Sequence, residues 1–163
     1  AIIDSFRFIG RKMNFLVLGN GEAETEAQLT SLKSIAQGDY NEFIGYNETL
    51  SHLMYAGADF LVMPSRVEPC GLNQLYAMRY GTIPVVRSTG GLKDTVIDIG
   101  EQGGYGITFN HAAVGDITHG IYRSVSLYNQ KEVFRSIREK IMVLDFSWHR
   151  SAEEYLSLYQ SFQ

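Results

Sequence analysis

"DFLVMPSRVEPCGLNQLYAMRYGTIPVVR", residues 59 to 87, carries the unit that decides the fold. The apolar run 59 to 65 reads as a buried strand, stopped by Pro64. A helical pattern occupies 71 to 80, and "IPVVR" (83 to 87) is the next strand. Repeated units of this kind, with short apolar strands, form a mainly parallel sheet covered on both faces.

The same alternation runs outward in both directions. Upstream, "NFLVLG" (14 to 19) is a strand that ends in Gly19 and is followed by Gly21. "EAETEAQLTSLKSIA" (22 to 36) sets Leu29, Leu32 and Ile35 at helical spacing. "NEFIGY" (41 to 46) is a strand, and "NETLSHLMYAGA" (47 to 58) a helix capped by Asn47, with Leu50, Leu53 and Met54 on one face. Downstream, "GGLKDTVIDIGEQGGYG" (90 to 106) is rich in glycine and reads as an irregular, exposed loop, with "GYGITF" (104 to 109) as a last strand. Three helical stripes close the chain: Ile117, Ile121, Val125 and Tyr128; Val133, Ile137 and Ile141; Ala152, Tyr155, Leu156 and Tyr159. Ser147 or Ser151 caps the last of these helices. The expected fold is α/β, a Rossmann-like three-layer domain spanning residues 1–163. The opening stretch "AIIDSFRFIG" is helix-like and begins with Ala1 rather than Met, so the sequence reads as a piece of a longer protein.

Composition narrows the function. The 163 residues are 45% hydrophobic and 20% charged, with a net charge of -4. A chain of this size can bury roughly two-thirds of its unfolded surface. The charge excludes the broad basic footprint of a nucleic-acid binder. No apolar run approaches the roughly 20 residues that span a bilayer, so no membrane partner is expected. The single cysteine, Cys70, rules out an intrachain disulfide and agrees with a cytoplasmic setting. His52, His111, His119 and His149 show no ligand spacing; no metal and no cofactor is expected.

In an open parallel sheet, ligands bind beyond the carboxyl ends of the strands. Gly19 and Gly21, Tyr46, Ser65 to Gly71, and Arg87 to Gly91 stand at such ends. A helix starting near Gly71 would offer unpaired N–H groups and a positive dipole end, which suits a diphosphate. Gly71 lets a ligand come close to the backbone. Glu68 would repel a diphosphate, so its place makes sense if it reaches past the phosphates to sugar hydroxyls, which a carboxylate accepts well. Gly90 and Gly91, in "STGGLKDT", can form an anion nest, and Arg87 can add positive charge there or be solvated. The plainer reading makes Glu68 a solvated residue in a turn, Cys70 a small buried hydrophobe and Tyr46 a core filler.

The run "GADFLVMPSRVEPCGLNQLYAMRYGTIPVVRSTGGLKDTV" resembles the donor-site segment of bacterial and plant glycogen/starch synthases, as do "FIGYNETLSHLMYAGAD" and "LDFSWHRSAEEYLSLY" (144 to 159). The resemblance covers about residues 14 to 160. It implies the C-terminal, donor-binding half of a GT-B fold, in an enzyme that moves glucose from ADP-glucose to an α-1,4-glucan with retention and without a metal. It implies that Glu68 holds hydroxyls of the donor glucose and that Cys70, Gly71, Leu72 and Asn73 line the sugar and diphosphate. Tyr46 would pack on adenine, Thr89, Gly90 and Gly91 would sit near the phosphates, and Ser65 and Arg66 would line the same edge. The family's N-terminal domain, and the Arg/Lys pair that opens its donor domain, have no counterpart in these residues. The final helix, about 148–162, would pack toward that missing domain. Many retaining GT-B enzymes carry a second Glu eight residues after the first; here Tyr76 stands there, as in this narrower family. The alternatives are another retaining GT-B transferase with a different donor, UDP-glucose included, or a stand-alone nucleotide- or glucan-binding module.

Overall fold

The computed structural model describes residues 1–9, 13–36 and 38–162; Gly10, the end of the helix-like opening stretch, lies outside the described residues. The chain alternates as expected: α1 (Ile2–Ile9), β1 (Phe15–Gly19), α2 (Ala23–Ala36), β2 (Tyr40–Ile44), α3 (Glu48–Gly57), β3 (Phe60–Met63), α4 (Asn73–Arg79), β4 (Ile83–Arg87), α5 (Gly90–Thr95), β5 (Ile107–Phe109), α6 (Val114–Asn129), α7 (Lys131–Met142) and α8 (Trp148–Gln160). Every pairing of these strands is parallel, which agrees with the α/β, Rossmann-like class. The strands form two sheets, β1–β2 and β3–β4–β5.

The core sits on β4. Its first four residues are buried, and the period of two along a strand sends them to opposite faces. Ile83 and Val85 join Met78, Ile107, Ile117, Ile121, Ile137 and Ile141 in the larger cluster. Val86 joins Met63, Leu92 and Val96 in a smaller one. Helices α4, α6 and α7 therefore supply one face, and the short α5 covers the other.

Several expectations shift. The helix expected from residue 71 starts at Asn73, so Gly71 and Leu72 belong to the loop before it. Residues 90 to 106 are not an exposed irregular loop: α5 opens the stretch, and Gly91, Leu92, Val96, Tyr105 and Gly106 are buried. The α6 stripe runs through Ile117, Ile121, Ser124 and Leu127, with Tyr128 exposed. In α7 the buried member is Phe134 rather than Val133. Asn47 does cap α3, its side chain accepting from the Leu50 N–H at 2.9 Å, and Ser147 rather than Ser151 caps α8. Helix α8 buries none of its residues: Trp148 is 88% exposed, and Tyr155, Leu156 and Tyr159 stay open.

Candidate functional site

Between Met63 and Asn73 the chain crosses the carboxyl edge of the larger sheet. Gly71 has φ +74°, in the left-handed region that glycine enters without strain. Glu68 is half-buried and its Oε2 accepts from the Ser65 hydroxyl at 3.3 Å, so the carboxylate is aimed rather than free. Arg87, at the end of β4, donates through Nη1 to the carbonyls of Arg66 at 2.6 Å and Ser65 at 3.3 Å, and through Nε to that of Asn110 at 3.0 Å. The guanidinium thus staples together the chain leaving β3, β4 and β5.

The second glycine loop lies directly against the first. Leu92 and Val96 pack on Met63 and Val86, and that seat brings the start of α5 behind the seam. The Gly91 N–H donates to the Glu68 carbonyl at 3.2 Å. A Cβ on Gly90 would lie 1.8 Å from that same oxygen, and one on Gly91 would lie 2.1 Å from the Cys70 carbonyl oxygen. Backbone therefore touches backbone, and neither position has room for a side chain. An anion nest of two successive free amides at Gly90 and Gly91 is not what this loop offers, because the Gly91 amide is already taken.

Gln74, which sequence reasoning passed over, lies between the two loops with no exposed surface. Its Nε2 shares two hydrogens among three acceptors: the carbonyls of Gly71 at 2.8 Å and Cys70 at 3.3 Å, and the Thr95 hydroxyl at 3.1 Å. Thr95 in turn donates to the Gly91 carbonyl at 2.6 Å.

Ser65, Glu68, Cys70, Gly71, Gly90 and Gly91 thus form one cluster, with Thr89 as the residue just before α5. Cys70 is exposed, so it is not the small buried hydrophobe of the plainer reading. Leu72 and Asn73 are also open to solvent, as is Arg66. Tyr46 stands past the end of β2, in the other sheet, and is 84% exposed; it is not core filler. Among the described residues no group of His, Cys, Asp and Glu is placed to hold a metal. His52 lies instead among the rings of Tyr55, Tyr76 and Tyr80, its Nδ1 3.2 Å from the Tyr80 hydroxyl. Burial, and then the neighbouring Tyr76, push the Tyr55 phenol up.

Known proteins match this chain over most of its length, the seam of two interlocked glycine loops included. The family model described as glycosyl transferases group 1 matches residues 2–136. The chain belongs to this family. It is 57% identical over 148 residues to the glycogen synthase of Flavobacterium johnsoniae, a match covering 91% of this chain and 31% of that protein. It is 47% identical over 146 residues to the glycogen synthase of Rhodospirillum rubrum, covering 89% of this chain and 30% of the relative. Among solved structures, the catalytic domain of starch synthase IV from Arabidopsis thaliana, bound to ADP and acarbose, superposes with a TM-score of 0.83 at 35% identity, over 96% of this chain and 34% of that one. The chain thus spans about a third of the length of the curated relatives it matches. Among the described residues no helix is long and apolar enough to cross a membrane.

Proposed function

We propose that this chain is the donor-binding, C-terminal part of a cytoplasmic retaining glucosyltransferase of the glycogen/starch synthase type. It would act with an N-terminal domain that carries the glucan acceptor. The observation that carries this reading is the aimed Glu68 carboxylate, held by Ser65 where the two glycine loops meet. Glu68 accepts hydrogen bonds from hydroxyls of the donor glucose. The backbone from Cys70 to Asn73 takes the diphosphate, with Thr89 and Gly90 on its far side, while Gly91 holds the two loops in contact. Ser65 orients Glu68, and the exposed Arg66 side chain supplies positive charge at the rim. Tyr46 is the platform for the base, a contact worth about 1–3 kcal/mol in nucleic-acid binders. ADP in the starch synthase neighbour supports ADP-glucose over UDP-glucose as donor.

In retaining transfer without an enzymic nucleophile, the acceptor hydroxyl attacks C1 from the leaving-group face, and the departing diphosphate takes its proton. The protein's share is to align two sugars and to stabilise charge growing on the diphosphate. Both tasks call for the second domain, so this chain alone would bind nucleotide weakly and transfer nothing.

The test is calorimetric titration of the two-domain protein with ADP, UDP and ADP-glucose, before and after Glu68→Ala. ADP should bind more tightly than UDP, and the substitution should spare ADP while removing the extra affinity contributed by glucose. Equal loss of ADP and ADP-glucose affinity would take Glu68 out of the sugar site. Absence of nucleotide binding by the unaltered protein would sink the reading altogether.

A further inference from the structure

We propose that Gln74 is a positioning residue that turns the amides of Gly71 and Leu72 toward the donor diphosphate and locks the two glycine loops into one unit. The inference rests on the donor-site reading above and adds to it a buried residue that would touch no substrate.

In a trans peptide the N–H points opposite to the C=O of the same plane. The Cys70 carbonyl shares its plane with the Gly71 N–H, and the Gly71 carbonyl shares its plane with the Leu72 N–H. Gln74 draws both carbonyls inward, at 3.3 and 2.8 Å. Both amides must then face away from Gln74, which is wholly buried, toward the side on which Cys70 and Leu72 are open to solvent. Two adjacent donors aimed at one place suit the oxygens of a diphosphate.

Chemistry fixes which end of the side chain does this. Carbonyl oxygens only accept, so the nitrogen of Gln74 must face them. The other end, Oε1, is buried and has no hydrogen-bond partner among the described residues. It fills the space beside Gly71, 2.6 Å from where a Cβ on that glycine would stand. A residue chosen for packing alone would carry no unpaired buried oxygen. The nitrogen also reaches Thr95, whose hydroxyl holds the Gly91 carbonyl, so the orientation of the first loop is tied to the position of the second.

The test compares Gln74→Glu, Gln74→Met and Thr95→Val in the two-domain protein, titrated with ADP and with adenosine. Gln74→Glu keeps the shape and replaces the donor with an acceptor. ADP affinity should fall about tenfold or more in both Gln74 variants, and about threefold in Thr95→Val. Adenosine affinity should be unchanged, because adenosine has no phosphate for the amides to meet. Lowering the pH should restore part of the ADP affinity in Gln74→Glu, since the protonated carboxyl regains an O–H donor, and should do nothing for Gln74→Met. Equal losses of ADP and adenosine would show a merely structural role and overturn the proposal, as would unaltered ADP affinity. If the Gln74 variants fail to fold, Thr95→Val decides by the same ratio. An unaltered protein that binds adenosine and ADP equally would remove the diphosphate site, and both readings with it.

Discussion

Position 90 must be glycine because of a neighbour as much as because of its own turn. Gly90 has φ +45°, and the carbonyl of Glu68 occupies the space a methyl group would need. Gly90→Ala should therefore cost about 3 kcal/mol or more, read as a drop in the urea midpoint. Gly21→Ala, where the space around the Cα is open, should change stability by no more than about 0.5 kcal/mol. At this scale the sequence displays what carries side-chain chemistry. Glu68, Cys70 and Gly71 are conspicuous because an acid, a thiol and a glycine are unusual together at a strand end. Arg87 and Gln74 were not legible as staples, because their partners are backbone carbonyls of Ser65, Arg66, Cys70 and Gly71, and any sequence supplies those. The pair Gly90 and Gly91 looked like a nest, while the contact that requires it comes from the Glu68–Cys70 backbone about 20 residues earlier.

Among the elements, the return from α5 to β5 is held by one charged pair. Asp98 receives Arg123 at 2.6 and 2.9 Å, and the Thr108 amide at 2.7 Å. Burial pushes the Asp98 carboxyl up, but the Arg123 guanidinium and the Thr108 and Gly100 amides outweigh it and hold it at about 2. The unfolded carboxyl titrates near 3.9. Its stabilisation is thus fully present above about pH 4 and is lost as the pH falls through about 2. Unfolding followed from pH 5 to pH 2 should show this loss, and Asp98→Asn should flatten that part of the profile while lowering stability at neutral pH by about 2 kcal/mol. Except at α5, element type was readable from apolar periodicity. Which residue of a stripe is buried was less so: Phe134 displaces Val133 and Leu127 displaces Tyr128, because neighbouring helical positions share an edge of the face and packing chooses between them. Helix α5 was missed because two glycines and a Lys-Asp-Thr run give no helical stripe; Leu92 is its one large apolar residue, with no exposed surface.

For the molecule as a whole, burial is uneven. Both clusters of buried residues centre on the larger sheet, and β4 is covered on both faces and paired along both edges. The β1–β2 part is thinner: Leu16 is 62% exposed, Ile35 57% and Leu53 65%, and Leu32 is the buried residue of α2. Amide hydrogen exchange should therefore separate the two, with β4 and β5 amides slowest and those of β1, β2, α2 and α3 exchanging well ahead of them. A single common rate for both sheets would contradict this. The sequence foretold parallel strands but not their division into two sheets, since apolar runs report burial and are silent about which neighbour each strand finds. That division leaves β1, β2, β3 and β5 each with one long side unpaired among the described residues, and β1 and β3 would otherwise be interior. An unpaired strand side is a row of alternating donors and acceptors that accepts any extended segment, and brevity, five residues in β1 and four in β3, limits that hazard without removing it. Recovery of this chain from the denatured state should then fall as the concentration of chains rises, because a neighbour's strand competes for those edges.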